Sequence, residues 1–212
     1  MGEAGGDTRE WTVVIPVKGT ARAKSRFGGA PGEHAELAMA IALDTVASVL
    51  ETPAVAEVLV VTNEAASAGF TQPRVRVVLE RGRGGLAAAI ALGITTALTT
   101  AAPGHGIAVL LGDLPALLPS ELDAALRSAA AVELAMVADA EGLGTTLITA
   151  AYGVAHTPAF GPGSSVAHRA AGYIPLDVPA RSGLRNDVDT IERLHELEGR
   201  LGPLTTSALN AN

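Results

Sequence analysis

Three acidic residues stand where they could hold a metal ion. Asp113 follows an apolar run, in Gly112-Asp113-Leu114-Pro115, and Asp187 and Asp189 lie two apart in Leu184-Arg185-Asn186-Asp187-Val188-Asp189-Thr190. In extended backbone, residues i and i+2 point the same way. Asp187 and Asp189 would then offer two carboxylates on one face, a donor set that suits Mg2+, which takes one or two carboxylates plus substrate phosphates. The competing reading is that Asp113 caps a turn and Asp189 caps the last helix. Lys18, Arg22, Lys24 and Arg26 crowd one glycine-containing stretch, KGTARAKSRFGGAP. Such a loop wraps a polyphosphate with backbone N–H groups and cationic heads, or is simply solvated. It has no G-x-x-x-x-G-K-[ST] pattern and is no P-loop.

Two further glycine-bearing turns could meet a ligand. Arg81-Gly82-Arg83-Gly84-Gly85-Leu86 opens a helix, where a ligand can approach the backbone and helix N–H groups favour anions. Gly144-Thr145-Thr146 and Phe160-Gly161-Pro162-Gly163-Ser164-Ser165 complete the set. Ser164 or Ser165 would start a short helix able to receive a phosphate or carboxylate; the plain alternative is a Gly-Pro turn with a capping serine. The five histidines, at 34, 105, 156, 168 and 195, have no ligand-like spacing. No Ser-His-Asp or zinc constellation is present.

These motifs need elements to position them. Short apolar runs at Trp11–Val17, Glu57–Thr62, Arg74–Leu79, Ile107–Leu111, Leu134–Ala138, Thr146–Tyr152 and Tyr173–Val178 predict strands. Apolar residues at helical spacing predict helices over 34–50 and 84–100. Ser120, with Asp123 three residues on, predicts the start of another. Ser164–Ala171 and a segment capped by Asp189 or Thr190, running to about Arg200, complete the helices. The alternation implies an α/β fold, a mostly parallel mixed sheet with helices on both faces. The two last strands are expected as antiparallel additions. Ligands in such sheets sit beyond the carboxyl ends of the strands, where the motifs above lie.

Composition narrows the function. The chain has 212 residues, long enough for one domain; residues 1–10 are expected to be a flexible tail and 11–212 the domain. Apolar residues at 48% and charged residues at 17% exclude a disordered chain. A net charge of −7 argues against nucleic acid or anionic lipid as partner. Cysteine is absent, which removes disulfides and thiolate metal sites and fits the cytoplasm. The N-terminus does not read as a signal peptide and no apolar run reads as a membrane span.

In combination and in this order, VIPVK…AKSRF, GDLPAL, LGTT, FGPGSS and NDVDT resemble the guanylyltransferases of deazaflavin coenzyme (F-420) biosynthesis, called CofC in archaea and FbiD in actinobacteria. The resemblance covers residues 12 to about 195. It implies a single-domain, Rossmann-like nucleotidyltransferase fold. It also implies transfer of GMP from GTP to the phosphate of a three-carbon phospho-acid: phosphoenolpyruvate by preference, otherwise 2-phospho-L-lactate or 3-phospho-D-glycerate. Carried over by position, Lys18, Lys24 and Arg26 fall to the triphosphate, with Lys18, Lys24 and Asp113 as the catalytic set. Gly85 and Leu86, with Asp113, fall to the nucleotide. Asp113, Asp187 and Asp189 fall to Mg2+, and Thr146, Gly161 and Ser164 to the phospho-acid. The family's Asn after Gly-Leu is Ala87 here, and the Asp of its FGPD turn is Gly163. The implied partners are the two substrates and a downstream transferase that takes the product, from a monomer or homodimer. Competing readings are a molybdopterin or sugar-phosphate nucleotidyltransferase, whose L-x-G-G-x-S-x-R-x-G-x-x-K loop is missing, a non-catalytic GTP-binding partner subunit, and an α/β domain with no ligand.

Overall fold

The computed structural model describes residues 10–17, 34–82 and 84–211. Lys18, Arg22, Lys24, Arg26 and Arg83 lie outside them, as does most of the expected tail. Seven strands form one sheet: β1 Trp11–Pro16, β2 Val55–Thr62, β3 Val75–Leu79, β4 Gly106–Leu110, β5 Leu134–Ala138, β6 Thr145–Ala150 and β7 Ile174–Pro175. Their order is β3-β2-β1-β4-β6-β5-β7. β1 pairs in parallel with β2 and β4, and β2 with β3. β6 runs antiparallel to both β4 and β5. β7 pairs in parallel with β5, correcting the expected second antiparallel addition. β7 is also two residues long rather than six.

Side chains alternate across the central strands, so each faces two cores. Val13 and Ile15 of β1 join Val58 and Val60 of β2 on one face, beneath α1 (Ala35–Leu50) and α4 (Pro119–Ala129). Val14 joins Leu59 and Val61 on the other face, beneath α3 (Gly85–Thr100). Gly93 sits in the α3 contact; a Cβ there would lie 2.3 Å from Val14 Cγ1, so glycine lets the helix close on the strands. A third apolar cluster gathers Leu37, Ile41, Ala116, Val188, Leu194 and Leu197 beneath the C-terminal helices α6 (Ile191–Glu196) and α7 (Pro203–Asn210).

Some expected boundaries move. α4 starts at Pro119, not after Ser120: the Leu118 N–H donates to Glu121 Oε2, and Pro119 takes the first helical position. Thr190, not Asp189, caps α6 by accepting the Arg193 N–H. The expected helix to Arg200 ends at Glu196, and α7 is separate. α2 (Glu64–Ser67), capped by Asn63, fills the β2–β3 crossover. Among the described residues no helix is long and apolar enough to cross a membrane.

Candidate active site

Asp113 is delivered by a strand that is buried along its whole length. β4 leaves the sheet at Leu110, and the turn that follows is pinned from two sides. The buried Leu114 N–H donates to Thr45 Oγ1 of α1, which itself donates to the Ile41 carbonyl. The Asp113 carbonyl accepts the N–H of Val188, 3.0 Å away, which ties this turn to the C-terminal motif.

That motif reads residue by residue. A 3-10 turn, Gly183–Arg185, packs against the loop after β4; a Cβ on Gly183 would lie 1.8 Å from the Ala116 carbonyl oxygen, so no other residue fits. Arg185 donates to the carbonyls of Ala138, Asp139 and Val178, locking the turn to the end of β5. Asn186 donates to the Ser182 carbonyl at 2.5 Å and accepts from Arg193 at 2.5 Å. Val188 enters the core. Asp187 and Asp189, between these anchors, both face the cleft.

The cleft has a volume of about 670 Å3 and opens beyond the carboxyl ends of β1 and β4. Ala38 and Ala42 of α1 and Leu86 of α3 line it from the two faces of the sheet. Leu143, Thr145 and the Phe160–Ser164 turn line it as well, and Asp113, Asp187 and Asp189 complete the wall. Burial pushes the Asp187 carboxyl up to about 7, helped by the negative charges of Asp113, Asp139 and Asp189. Asp139, which sequence reading missed, lines the cleft but is engaged elsewhere. Its two oxygens accept the N–H groups of Leu143 (2.9 Å) and Gly144 (2.6 Å), closing the β5–β6 turn.

The structure thus gathers Asp113, Asp187, Asp189, Leu86, Gly161 and Ser164 around one cleft. Gly85 is next to the lining, not in it. Thr146 stands behind the wall: it is fully buried and donates to the Leu184 carbonyl at 2.7 Å. Its neighbour Thr145 is the threonine that lines the cleft. Adjacent strand residues face opposite ways, so the register of β6 decides between them, and that register is fixed by pairing with β4 and β5. Ser164 N–H, expected as an anion donor, is spent on the Gly161 carbonyl, and the helix it opens, α5 (Ser164–Ala170), has only seven residues. Glu141 also lines the cleft and was not expected.

Hard oxygen donors crowded by like charge are the chemistry that a divalent cation fits. Among the described residues no three His, Asp or Glu side chains stand close enough together to hold a metal ion by themselves. Asp113, Asp187 and Asp189 line the cleft without closing on one another, so a cation there would need substrate oxygens to complete its shell.

A mostly parallel sheet with one reversed strand and a carboxylate-rimmed cleft at its carboxyl edge define a nucleotidyltransferase, and comparison with known proteins agrees. The model of the MobA-like NTP transferase domain matches residues 23–171. A phosphoenolpyruvate guanylyltransferase of Thermomonospora curvata is 46% identical over 182 residues, covering 85% of this chain and 79% of that one. Among solved structures, a Desulfovibrio desulfuricans G20 protein described as a nucleotide-diphospho-sugar transferase shares the fold at 18% identity and a TM-score of 0.69, covering 96% of this chain and 95% of that one. Rv0371c of Mycobacterium tuberculosis H37Rv, solved in complex with manganese, shares it at 19% identity and a TM-score of 0.59, covering 89% and 97%. The chain belongs to the MobA-like NTP transferases and, among them, to the phosphoenolpyruvate guanylyltransferase family.

Proposed function

We propose that this enzyme transfers GMP from GTP to the phosphate of phosphoenolpyruvate, releasing pyrophosphate. The observation that carries the reading is the convergence of Asp113, Asp187 and Asp189 with Thr145 and the Gly161–Ser164 turn on one cleft. With a divalent cation held by the carboxylates, those groups would be what an anionic phosphate and an anionic triphosphate need in order to approach each other. A phosphate oxygen of the acid attacks the α-phosphorus of GTP, and the bond to the β-phosphate oxygen breaks as pyrophosphate leaves. The nucleophile is already an anion, so no general base is required. Catalysis is positioning and neutralisation of charge.

Each group then has a task. Asp113, Asp187 and Asp189 would hold a divalent cation, Mg2+ in this reading. When bound, it offsets the repulsion between the two substrates and the charge that develops on the transferred phosphoryl group. Thr145, the Gly161–Gly163 backbone and the Ser164 hydroxyl orient the acid, while Thr146 acts from behind by holding the Leu184 carbonyl and the turn before Asp187. Leu86, with Gly85 beside it, borders the nucleotide. Lys18, Lys24 and Arg26, outside the described residues, fall to the triphosphate by resemblance alone. In this reading the reaction belongs to coenzyme F-420 biosynthesis in the cytoplasm, and the enzyme, as a monomer or homodimer, hands its product to a downstream transferase.

The test is pyrophosphate release from GTP and Mg2+ with phosphoenolpyruvate, 2-phospho-L-lactate or 3-phospho-D-glycerate in turn, with the deazaflavin acceptor and its transferase present to trap the product. Release with phosphoenolpyruvate, and mass spectrometry showing that acid joined to the acceptor, is the expected result. Release with another acid alone would replace the substrate. GTP binding without release from any acid would move the chain to a non-catalytic role.

A further inference from the structure

Behind the acid side of the cleft lies a buried imidazole that the mechanism above does not use. His168, on α5, is fully buried. Its Nε2 accepts the backbone N–H of Ala159 at 2.8 Å, and its Nδ1 is 3.0 Å from Thr145 Oγ1. Phe160 and Tyr173 pack edge-on against the ring, with centroids 5.1 and 5.2 Å away. A backbone N–H can only donate. Nε2 therefore carries no proton, and a neutral ring must carry its proton on Nδ1. Burial lowers the pKa of His168, which keeps the ring neutral. Nδ1–H is then the donor, facing both Thr145 Oγ1 and the Ser164 carbonyl one helical turn back, so Thr145 Oγ1 stands to this proton only as an acceptor. The hydroxyl's own proton has no acceptor among the described residues, and Thr145 lines the cleft.

We propose that His168 is a positioning residue that turns the Thr145 hydroxyl into a one-way donor aimed at an anionic oxygen of the phospho-acid. The direction of this hydrogen-bond chain, from Ala159 N–H to Nε2 and from Nδ1–H to Thr145 Oγ1, is set by the one group in it that cannot reverse. The inference rests on the phospho-acid occupying this side of the cleft, as the proposed function has it. It goes further in assigning a specificity device: a threonine whose proton has nowhere to go but the ligand discriminates against a ligand group that must itself donate.

Two experiments test it. In the 15N-labelled wild-type protein, long-range 1H–15N correlation of the imidazoles should show His168 as the Nδ1–H tautomer; an Nε2–H tautomer would overturn the proposal without any variant. In steady-state kinetics, Thr145→Val and His168→Gln, whose amide falls at the Nε2 position, should each raise KM for phosphoenolpyruvate about ten-fold or more, the cost of a hydrogen bond to a charged group. KM for GTP should stay within about two-fold. His168→Asn, which keeps a donor at the Nδ1 position, should recover most of the loss. In the double variant, His168→Gln should cost nothing beyond Thr145→Val. Additive losses, or equal rises in both KM values, would reduce His168 to a packing residue. If His168→Gln fails to fold, Thr145→Val compared with Thr145→Ser, together with the tautomer, still decides. Wild-type protein inactive with every acid would be a failure of the functional reading instead.

Discussion

The two flanks of the sheet are held together by different forces. On the β3-β2-β1-β4 side the strands and the helix faces that cover them are mostly Ala, Leu, Ile and Val, so apolar packing sets most of the geometry. On the β6-β5-β7 side, the wall that faces the phospho-acid is fixed by directed polar contacts. Arg185 spans three carbonyls, Asp139 closes a turn with two N–H groups, and partly buried His156 joins buried His168 and Tyr173 in a polar cluster. Apolar packing tolerates change of residue as long as volume is kept. A polar network has direction, and it orients a hydroxyl or a carboxylate to within a hydrogen bond. The active site lies on the seam, with Asp113 leaving the aliphatic side and Asp187 held by the polar one.

The comparison breaks most visibly in the aliphatic flank. Leu110→Ala, at a fully buried position in the main core, should destabilise the protein by about 2–5 kcal/mol in chemical denaturation. Its cost should be the same at pH 5 and pH 7, and the KM values of the folded fraction should not change. A KM change for phosphoenolpyruvate would mean that the two flanks are not independent.

The polar flank should respond to pH instead. Desolvation lowers the pKa of His156 to about 4 while its Nε2 faces the Ile107 carbonyl at 3.0 Å. The unfolded chain takes up a proton near pH 6.5 and the folded one does not. The contribution of His156 is therefore complete above pH 6.5 and is lost as pH falls toward 4, by up to about 3 kcal/mol. At the seam Asp187 acts with the opposite sign. Its carboxyl, raised to about 7, keeps a proton that the unfolded chain releases, so without divalent cation stability falls as pH rises from about 4 to 7. The two slopes offset in the wild type. With EDTA present, unfolding free energy between pH 4.5 and 7 should tilt downward with pH in His156→Gln and upward in Asp187→Asn. Two parallel curves would contradict both assignments.

Asp113→Asn separates activity from stability at the seam. Turnover should fall by ~10² or more, equivalent to about 2.7 kcal/mol of transition-state stabilisation. The backbone anchor is untouched, because it is the Asp113 carbonyl that accepts the Val188 N–H. Unchanged pyrophosphate release from a folded Asp113→Asn protein would remove Asp113 from the catalytic set.

The same division explains what was legible in the sequence. The aliphatic flank writes itself as apolar runs, so β1, β2, β3, β4, α1 and α3 fall within two residues of expectation. The alternation in Asn186-Asp187-Val188-Asp189 also survives folding, since a buried Val188 forces both carboxylates outward. What failed depends on contacts made late. Thr145 and Thr146 are identical in type, and only the pairing of β6 tells which one faces the cleft. Asp139 reads as a loop residue until its turn closes. His156 and His168 lie twelve positions apart with no motif between them, and the packing of Tyr173 brings them together. α7, with its Pro-Leu-Thr-Thr start, has too weak an apolar face to announce a helix.

α7 also supplies the sharpest test of the division, because it docks on the aliphatic flank through a charge. Asp44 of α1 is buried, and its Oδ1 and Oδ2 accept the N–H groups of Leu204 (3.2 Å) and Thr205 (2.7 Å) in the first turn of α7. A carboxylate at a helix N-terminus satisfies amides that have no partner within the helix and meets the positive end of its dipole. Gly202 leaves the space this needs; a Cβ there would fall 2.3 Å from Asp44 Cγ. Asp44→Ala should therefore cost about 1–2 kcal/mol, the scale of a lost helix cap. The loss should be local: amide hydrogen exchange should accelerate across 203–210 while β1 and β4 stay protected. Both substrate KM values should hold, since neither Asp44 nor α7 lines the cleft. Exchange that accelerates throughout the sheet would instead make α7 part of the core, and its polar attachment a condition of the aliphatic packing.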